Sequence, residues 1–381
     1  MTRTGLIVRP ATPDDFPSVA GLLDRTFGKR PYEQRLKLWD WRFHRNPART
    51  DAFPPFLVAE GKGRIVGAHG LIPLRVKAGM RKLNASCSCD LAADPAARSA
   101  GMKLKLAALS REISPLHLST SANEPANKIT LALGGKEVIS GRRTYIKPLK
   151  ASGLLRRSLT GKGTPEGIAT AASLAVGMPA DWALAIDRMA RPPGNIPGTL
   201  VRNVGAFDGR YDEFWEEMAE DHSILVVRDS SYLNWRYAGY PFPGIQSFEL
   251  SRGERLLGFS VIHLGIDEDR LRFAALLELA GRKTESGVPG HLLGEAIRRA
   301  ADAGAHYLIT RAATPEIESL LPAHGYLRRE MNYSPVTYKN NSDVPDESFS
   351  QEGNWYLSLG DGDGCHYYDS PSHPGPAGED G

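Results

Sequence analysis

The chain has 381 residues, 41% hydrophobic and 24% charged, with a formal net charge of +3. That balance is ordinary for a soluble globular protein and leaves room for two or three cores. So small a charge, with no block of Lys and Arg, argues against a nucleic-acid partner. Three cysteines argue against a disulfide framework and for a reducing, cytoplasmic setting.

No apolar stretch of signal-peptide length follows Met1. Residues 6–12 read as a strand, and Thr12-Pro13-Asp14-Asp15 starts a helix: a capping hydroxyl, a proline at the first helical position, then acids. Phe16, Val19, Leu22, Leu23 and Phe27 form its apolar stripe. A second helix is expected over residues 32–44, ending in Trp41-Arg42-Phe43, and two strands follow around the turn Gly61-Lys62-Gly63.

Residues 83–109 read as strand, small-residue loop and helix. Period-two geometry puts Cys87, Cys89 and Leu91 on a core face and Ser86, Ser88 and Asp90 on a face for water or ligand. The two cysteines are therefore expected as buried thiols rather than metal ligands. The loop, residues 93–101, lets a ligand approach its backbone closely. Arg98 and the free N–H groups of the following helix suit phosphate oxygens. A strand over 116–120, a helix over 124–133 and closing strands over 136–147 come next.

The apolar run 168–189 is interrupted by Pro179 and Asp181, which predicts a packed or docking helix pair rather than a membrane span. Gly161-Lys162-Gly163-Thr164 lacks the upstream glycine and strand of a phosphate-binding loop. After Lys339 the chain turns polar; residues 354–359 look ordered, and the last fifteen or so read as disordered. Asp361, Asp363, Cys365 and His366 read as a solvated turn rather than a metal site. No metal site is expected elsewhere, because the ten histidines do not cluster at zinc spacing.

Residues 5–150 resemble the Gcn5-related N-acetyltransferase (GNAT) family. Three pieces carry the resemblance: residues 8–15, Arg64-Ile65-Val66-Gly67, and the loop Asp94-Pro95-Ala96-Ala97-Arg98-Ser99-Ala100-Gly101. The loop resembles the family's pyrophosphate loop P-x-x-R-G-x-G-x-G/A, with Ser99 at the first glycine and Lys103 at the last small position. Downstream, Asn123-Glu124-Pro125-Ala126 through Gly134 keeps the frame of N-x-x-A-x-x-L-Y-x-x-x-G-F, with Thr130 where the proton-donating tyrosine often stands.

Independently of any family, Trp41-Arg42-Phe43-x-x-x-Pro47 recurs as Trp235-Arg236-Tyr237-x-x-x-Pro241, about 190 residues on. Arg64-Ile65-Val66-Gly67 is echoed by Arg255-Leu256-Leu257-Gly258, Asp90-Leu91-Ala92 by Glu278-Leu279-Ala280, and Gly134 by Gly325. Four collinear matches imply an internal duplication. The expected fold is therefore α/β (α+β): two tandem GNAT units, each a mixed central sheet flanked by helices. The N-terminal unit spans 1–150, a connector 151–202, the second unit 203–340 and a polar tail 341–381. The loop 281–290 of the second unit lacks the arginine-glycine pattern, so the cofactor site is expected in the first.

The resemblance implies direct acyl transfer from acetyl-CoA, or another acyl-CoA, to an amine. Leu91, Ala92 and Ala93 would bind the pantetheine arm. Arg98, Ser99, Ala100, Gly101, Met102 and Lys103 would hold the pyrophosphate, and Asn123 belongs to the same site. Asp90 is the candidate base; an unperturbed aspartate titrates at about 3.9, so it would need desolvation or a water relay. The leaving thiolate would take its proton either from another donor, with Tyr145 the candidate, or from water. Double units of this kind resemble proteins linked to bacterial surface polysaccharides, which suggests an amino sugar acceptor. Two other readings stand beside this one: a Fem-type enzyme using aminoacyl-tRNA, and a non-catalytic scaffold. Acyl-CoA binding separates the first from both.

Overall fold

The computed structural model describes residues 6–94, 101–190, 194, 196–267 and 269–363. The first half of the chain supplies β1 (Ile7–Pro10), β2 (Phe56–Gly61), β3 (Arg64–Ala78), β4 (Arg81–Ala93), β5 (Leu116–Ser119), β6 (Lys136–Glu137) and β7 (Arg143–Pro148). The second supplies β8 (Leu200–Asn203), β9 (Ile224–Val226), β10 (Ile245–Arg252), β11 (Arg255–Ile266), β12 (Arg272–Gly281), β13 (Tyr307–Thr310), β14 (Leu327–Glu330), β15 (Thr337–Asn340) and β16 (Trp355–Tyr356).

These strands form two mixed sheets flanked by helices. The first runs β1-β2-β3-β4-β5-β15-β6, with β9 on β3 and β16 on β9. The second runs β14-β7-β13-β12-β11-β10-β8. Read from β1 and from β8, the two orders match position by position. In each, the next-to-last strand comes from the other half of the chain. β15 lies between β5 and β6, and β7 lies between β13 and β14. The closing strands expected over 136–147 are thus split between the sheets, and a cut at residue 150 follows neither sheet. Period-two patterning marks which face of a strand is apolar; it carries no information on which strand pairs at its edge.

The repeated tryptophans lie where the halves meet. Trp41 and Trp235 sit on one-turn π segments, Asp40–His44 and Asn234–Ala238. Each indole N–H donates to the other's main-chain carbonyl, at 2.8 and 2.7 Å, and the rings stack with centroids 5.0 Å apart. The reciprocity makes this pair the local two-fold centre of the molecule. The Arg236 guanidinium covers both rings, 5.6 and 5.8 Å from their centroids.

The helices of the first half are α1 (Phe16–Phe27), α2 (Tyr32–Trp39), α3 (Met102–Glu112) and α4 (Glu124–Ala132). α3 presses closely on β3, because a Cβ at Gly67 would come within 2.9 Å of Met102 Sδ and 3.0 Å of Leu106 Cδ1. The connector is a helical hairpin: α5 (Ala151–Gly161), then α6 (Glu166–Ala172) and α7 (Met178–Ala190) joined through a π turn, Ser173–Gly177. Asp181 does not face outward; it caps α5, accepting from Ser152 N at 3.1 Å and Ser152 Oγ at 2.6 Å.

The segment expected as a polar tail departs most from expectation. Residues 355–362 are buried, and Asp361, read as part of a solvated turn, is 1% exposed. The Arg228 guanidinium donates to Asp361 at 2.7 and 2.8 Å and to Glu278 at 3.2 Å, all within the core. A charge network of this kind is invisible to hydropathy, which scores Asp361 as a surface residue. Cys365 and His366 lie outside the described residues, as do the last residues expected to be disordered.

Candidate active site

β4 is the strand around which the candidate site is built. It pairs with β3 along most of its length, but with β5 only at Ala85–Cys87 against Leu116–Leu118. Beyond Cys87 the strand continues to Ala93, and among the described residues nothing pairs with its backbone on the β5 side. This is a cleft in the sheet with an unused row of N–H and C=O groups on one wall. Leu91, Ala92 and Ala93 stand on that wall.

A β-bulge shapes the same stretch. The β3–β4 register passes from Gly70 opposite Cys89 to Ala68 opposite Ala92, so Asp90 and Leu91 together face His69. Asp90 has φ of 51°, a left-handed conformation that aspartate tolerates better than most residues. The bulge breaks the alternation the sequence shows. Asp90 leaves the Ser86–Ser88 face, and its carboxylate accepts from Arg42 Nη1 at 2.7 Å while remaining 26% exposed. Arg42, the second residue of the repeated motif, is thereby the partner of the candidate base.

The serine face is taken up by a hydrogen-bond chain. Ser86 is fully buried and forms a chain with Ser114 Oγ (2.7 Å) and His117 Nδ1 (2.9 Å); His117 Nε2 reaches Ser88 Oγ (2.8 Å), which reaches His69 Nε2 (3.0 Å). Burial, reinforced by the nearby Arg111 charge, pushes His69 down to about 3 and His117 well below its ordinary value. Both imidazoles are neutral near pH 7. Sequence reasoning missed this chain. The signal was present as two serines two apart, but their histidine partners lie on neighbouring strands. The cysteine face is core as expected, with burial pushing the Cys87 thiol up to about 12.

At the far end of β4, Asp94 N donates to Val66 O at 2.8 Å, and α3 begins with Gly101 as its cap residue. Met102 is buried against Gly67 and Lys103 is exposed. Arg98, Ser99 and Ala100 lie outside the described residues. Asn123 caps α4, its side chain accepting from Ala126 N at 3.1 Å. Thr130 is a core hydroxyl that donates to Ala126 O at 3.0 Å and accepts from Arg111.

Tyr145 is not brought to Asp90. It lies on β7 in the second sheet, opposite Thr310 and Arg328, and its hydroxyl donates to Glu318. Burial first, then that carboxylate, raises its pKa above the ordinary value. The strand exchange carries it there, so the expected partnership of Asp90 and Tyr145 does not form in this structure.

The second sheet has the matching cleft. β12 pairs with β13 only along Phe273–Leu276 and then runs on to Gly281. Here the chain's own C-terminal segment fills the gap. Leu357 N donates to Ala313 O at 3.1 Å, Gly360 N to Leu277 O at 2.9 Å, and Tyr356 Oη to Leu279 O at 3.0 Å. A Cβ at Gly360 would collide with the Tyr237 hydroxyl and lie 2.9 Å from Leu277 O, so only glycine fits. Glu278, the counterpart of Asp90, is locked by Arg228, Tyr237 Oη and Ser358 Oγ. Beyond the cleft, Asp363 accepts from Thr120 Oγ1 and Ser121 Oγ just past β5, which ties the segment to the first sheet.

Comparison with known proteins places these observations. Residues 7–113, which end with α3, match the family model of an acetyltransferase (GNAT) domain. No curated protein matches the chain. Among solved structures, a probable N-acyltransferase of otherwise unknown function from Enterococcus faecalis V583 is 11% identical; the match covers 90% of this chain and 74% of that one, with a TM-score of 0.59. A GCN5-related N-acetyltransferase from Kribbella flavida is 16% identical over 91% of this chain and 74% of that one, TM-score 0.55. A putative acetyltransferase from Pyrococcus horikoshii is 13% identical over 95% of this chain and 98% of that one, TM-score 0.51. At these identities the likeness is one of fold.

Proposed function

We propose that the chain is an acyl-CoA-dependent N-acyltransferase of the GNAT type, built from two tandem units with one working cofactor cleft. The observation that carries this reading is the contrast between the clefts. Among the described residues the first leaves the β5 side of the β4 backbone unpaired beyond Cys87, whereas the second is filled by residues 357–360. An extended pantetheine arm would continue the sheet along Leu91–Ala93. The pyrophosphate would meet Arg98 and the first N–H groups of α3, where the helix dipole favours negative charge.

The chemistry then belongs to the bulge. A main-chain N–H of β4 would donate to the thioester carbonyl and stabilise the oxyanion formed as an amine attacks. Asp90 would take the amine's proton, directly or through a water, while Arg42 fixes the carboxylate in place. With Tyr145 in the other sheet, the leaving thiolate takes its proton from water. The acceptor is a small amine, and an amino sugar is the first candidate. Amine-dependent release of CoA from acetyl-CoA, followed by thiol titration across polyamines, amino acids and amino sugars, tests this. Release with at least one amine class is expected; acetyl-CoA that binds but is never turned over would leave a binding protein instead.

A further inference from the structure

The helical hairpin between the two halves has inverted polarity. The side of α6 and α7 packed on α5 is lined by small residues, Ala169, Ser173 and Gly177, four apart. The contact is close, since a Cβ at Gly177 would come within 2.9 Å of Ser152 Cβ. Most of the large apolar side chains face the other way. Ile168, Leu174, Val176, Met178, Trp182 and Ile186 are 49–70% exposed, Trp182 the most. A helix stabilised by a protein core does the reverse, turning its large side chains inward.

Between Glu166 and Asp187 the only ionisable side chain is Asp181, and that is turned in to cap α5. The outer face is therefore uncharged over 168–186, roughly 28 Å at 1.5 Å per residue. Of the six large side chains on it, only Trp182 carries a hydrogen-bonding group. We propose that this face is a docking surface for a lipid bilayer, with the hairpin lying in the plane of the headgroup–acyl boundary. A protein partner is the weaker fit, because specific protein interfaces carry about one hydrogen bond per 100–200 Å² and this face has almost nothing to form one with. The small-residue seam is the arrangement helices use when their outer surroundings are apolar.

Residues 166–188 are long and apolar enough to cross a membrane, with mean hydropathy 1.3. The structure favours lying on the surface instead. The partner helix α5 is only 11 residues long and carries Arg156 and Arg157. Trp182 near one end and Lys162 at the hairpin turn suit the interface, one by its amphipathic ring and the other by its charge.

The test is co-sedimentation of the full chain with vesicles of phosphatidylcholine, with and without phosphatidylglycerol, for the wild type and for Trp182→Glu/Ile186→Glu. Both positions are exposed, so folding should be unaffected, which the circular dichroism spectrum and thermal midpoint check. Trp182→Phe serves as a second variant that keeps the apolar face. We expect the wild type and Trp182→Phe to sediment and the double variant to bind roughly tenfold or more weakly. Binding that the double variant retains would overturn the proposal. So would no binding to either vesicle, whether the chain is monomeric or forms a dimer that Ile186→Glu dissociates; the dimer would make a second copy the occupant.

Discussion

Asp90→Asn should lower kcat/KM for amine acetylation by about 10²–10⁴-fold, the usual contribution of a positioned proton acceptor. Asparagine tolerates the left-handed backbone that Asp90 adopts at 51°, and its carbonyl oxygen can still accept from Arg42. Shape and hydrogen bond are kept while basicity is removed, so acetyl-CoA affinity should hold. A purely structural Asp90 gives the opposite pattern: a lower thermal midpoint with kcat/KM nearly intact. Steady-state kinetics and a melting curve on the same preparation separate the two.

The largest loss of stability should come from Arg228→Met. The Arg228 side chain is fully buried and faces the equally buried carboxylates of Glu278 and Asp361, so its removal leaves two carboxylates buried without their cation. Breaking a buried ion pair in this way costs about 3–5 kcal/mol, and in a chain of this length the midpoint should fall by roughly five degrees. The pH dependence has a definite sign. Burial already raises the Glu278 pKa, with Arg228 opposing it, and loss of the cation removes that opposition. A carboxyl whose folded pKa lies above its unfolded value adds stability in acid and loses it as pH rises through the folded pKa. The deficit of Arg228→Met should therefore be greatest at neutral pH and shrink on acidification. Adding Glu278→Gln and Asp361→Asn should restore part of the loss, since a network with no charge has none to leave unpaired.

Much of this architecture is legible in the residues. The repeat of Trp41-Arg42 as Trp235-Arg236 marks the place where the halves meet, and the reciprocal indole hydrogen bonds give the reason for packing residues at that spot. The strand–loop–helix of residues 83–109 is where the chain offers a cleft and the start of α3. What the sequence hides is of three kinds. The bulge at Asp90 is hidden because side-chain alternation reads straight through it, and only the register with His69 reveals the extra residue. The exchange of β7 and β15 is hidden because edge pairing leaves no periodic trace. The filling of the second cleft is hidden because Ser358, Gly360 and Asp361 are polar or small. Their burial depends on Arg228 and Glu278, some 80 to 130 residues away.

Of the two like-shaped clefts, only the first is expected to hold acyl-CoA. Calorimetric titration of the full chain with acetyl-CoA, repeated on Arg98→Glu, tests it most directly. One molecule should bind per chain, and Arg98→Glu should abolish binding while leaving the unliganded melting curve unchanged. Two molecules per chain, one molecule indifferent to Arg98→Glu, or no binding of any acyl-CoA would contradict it.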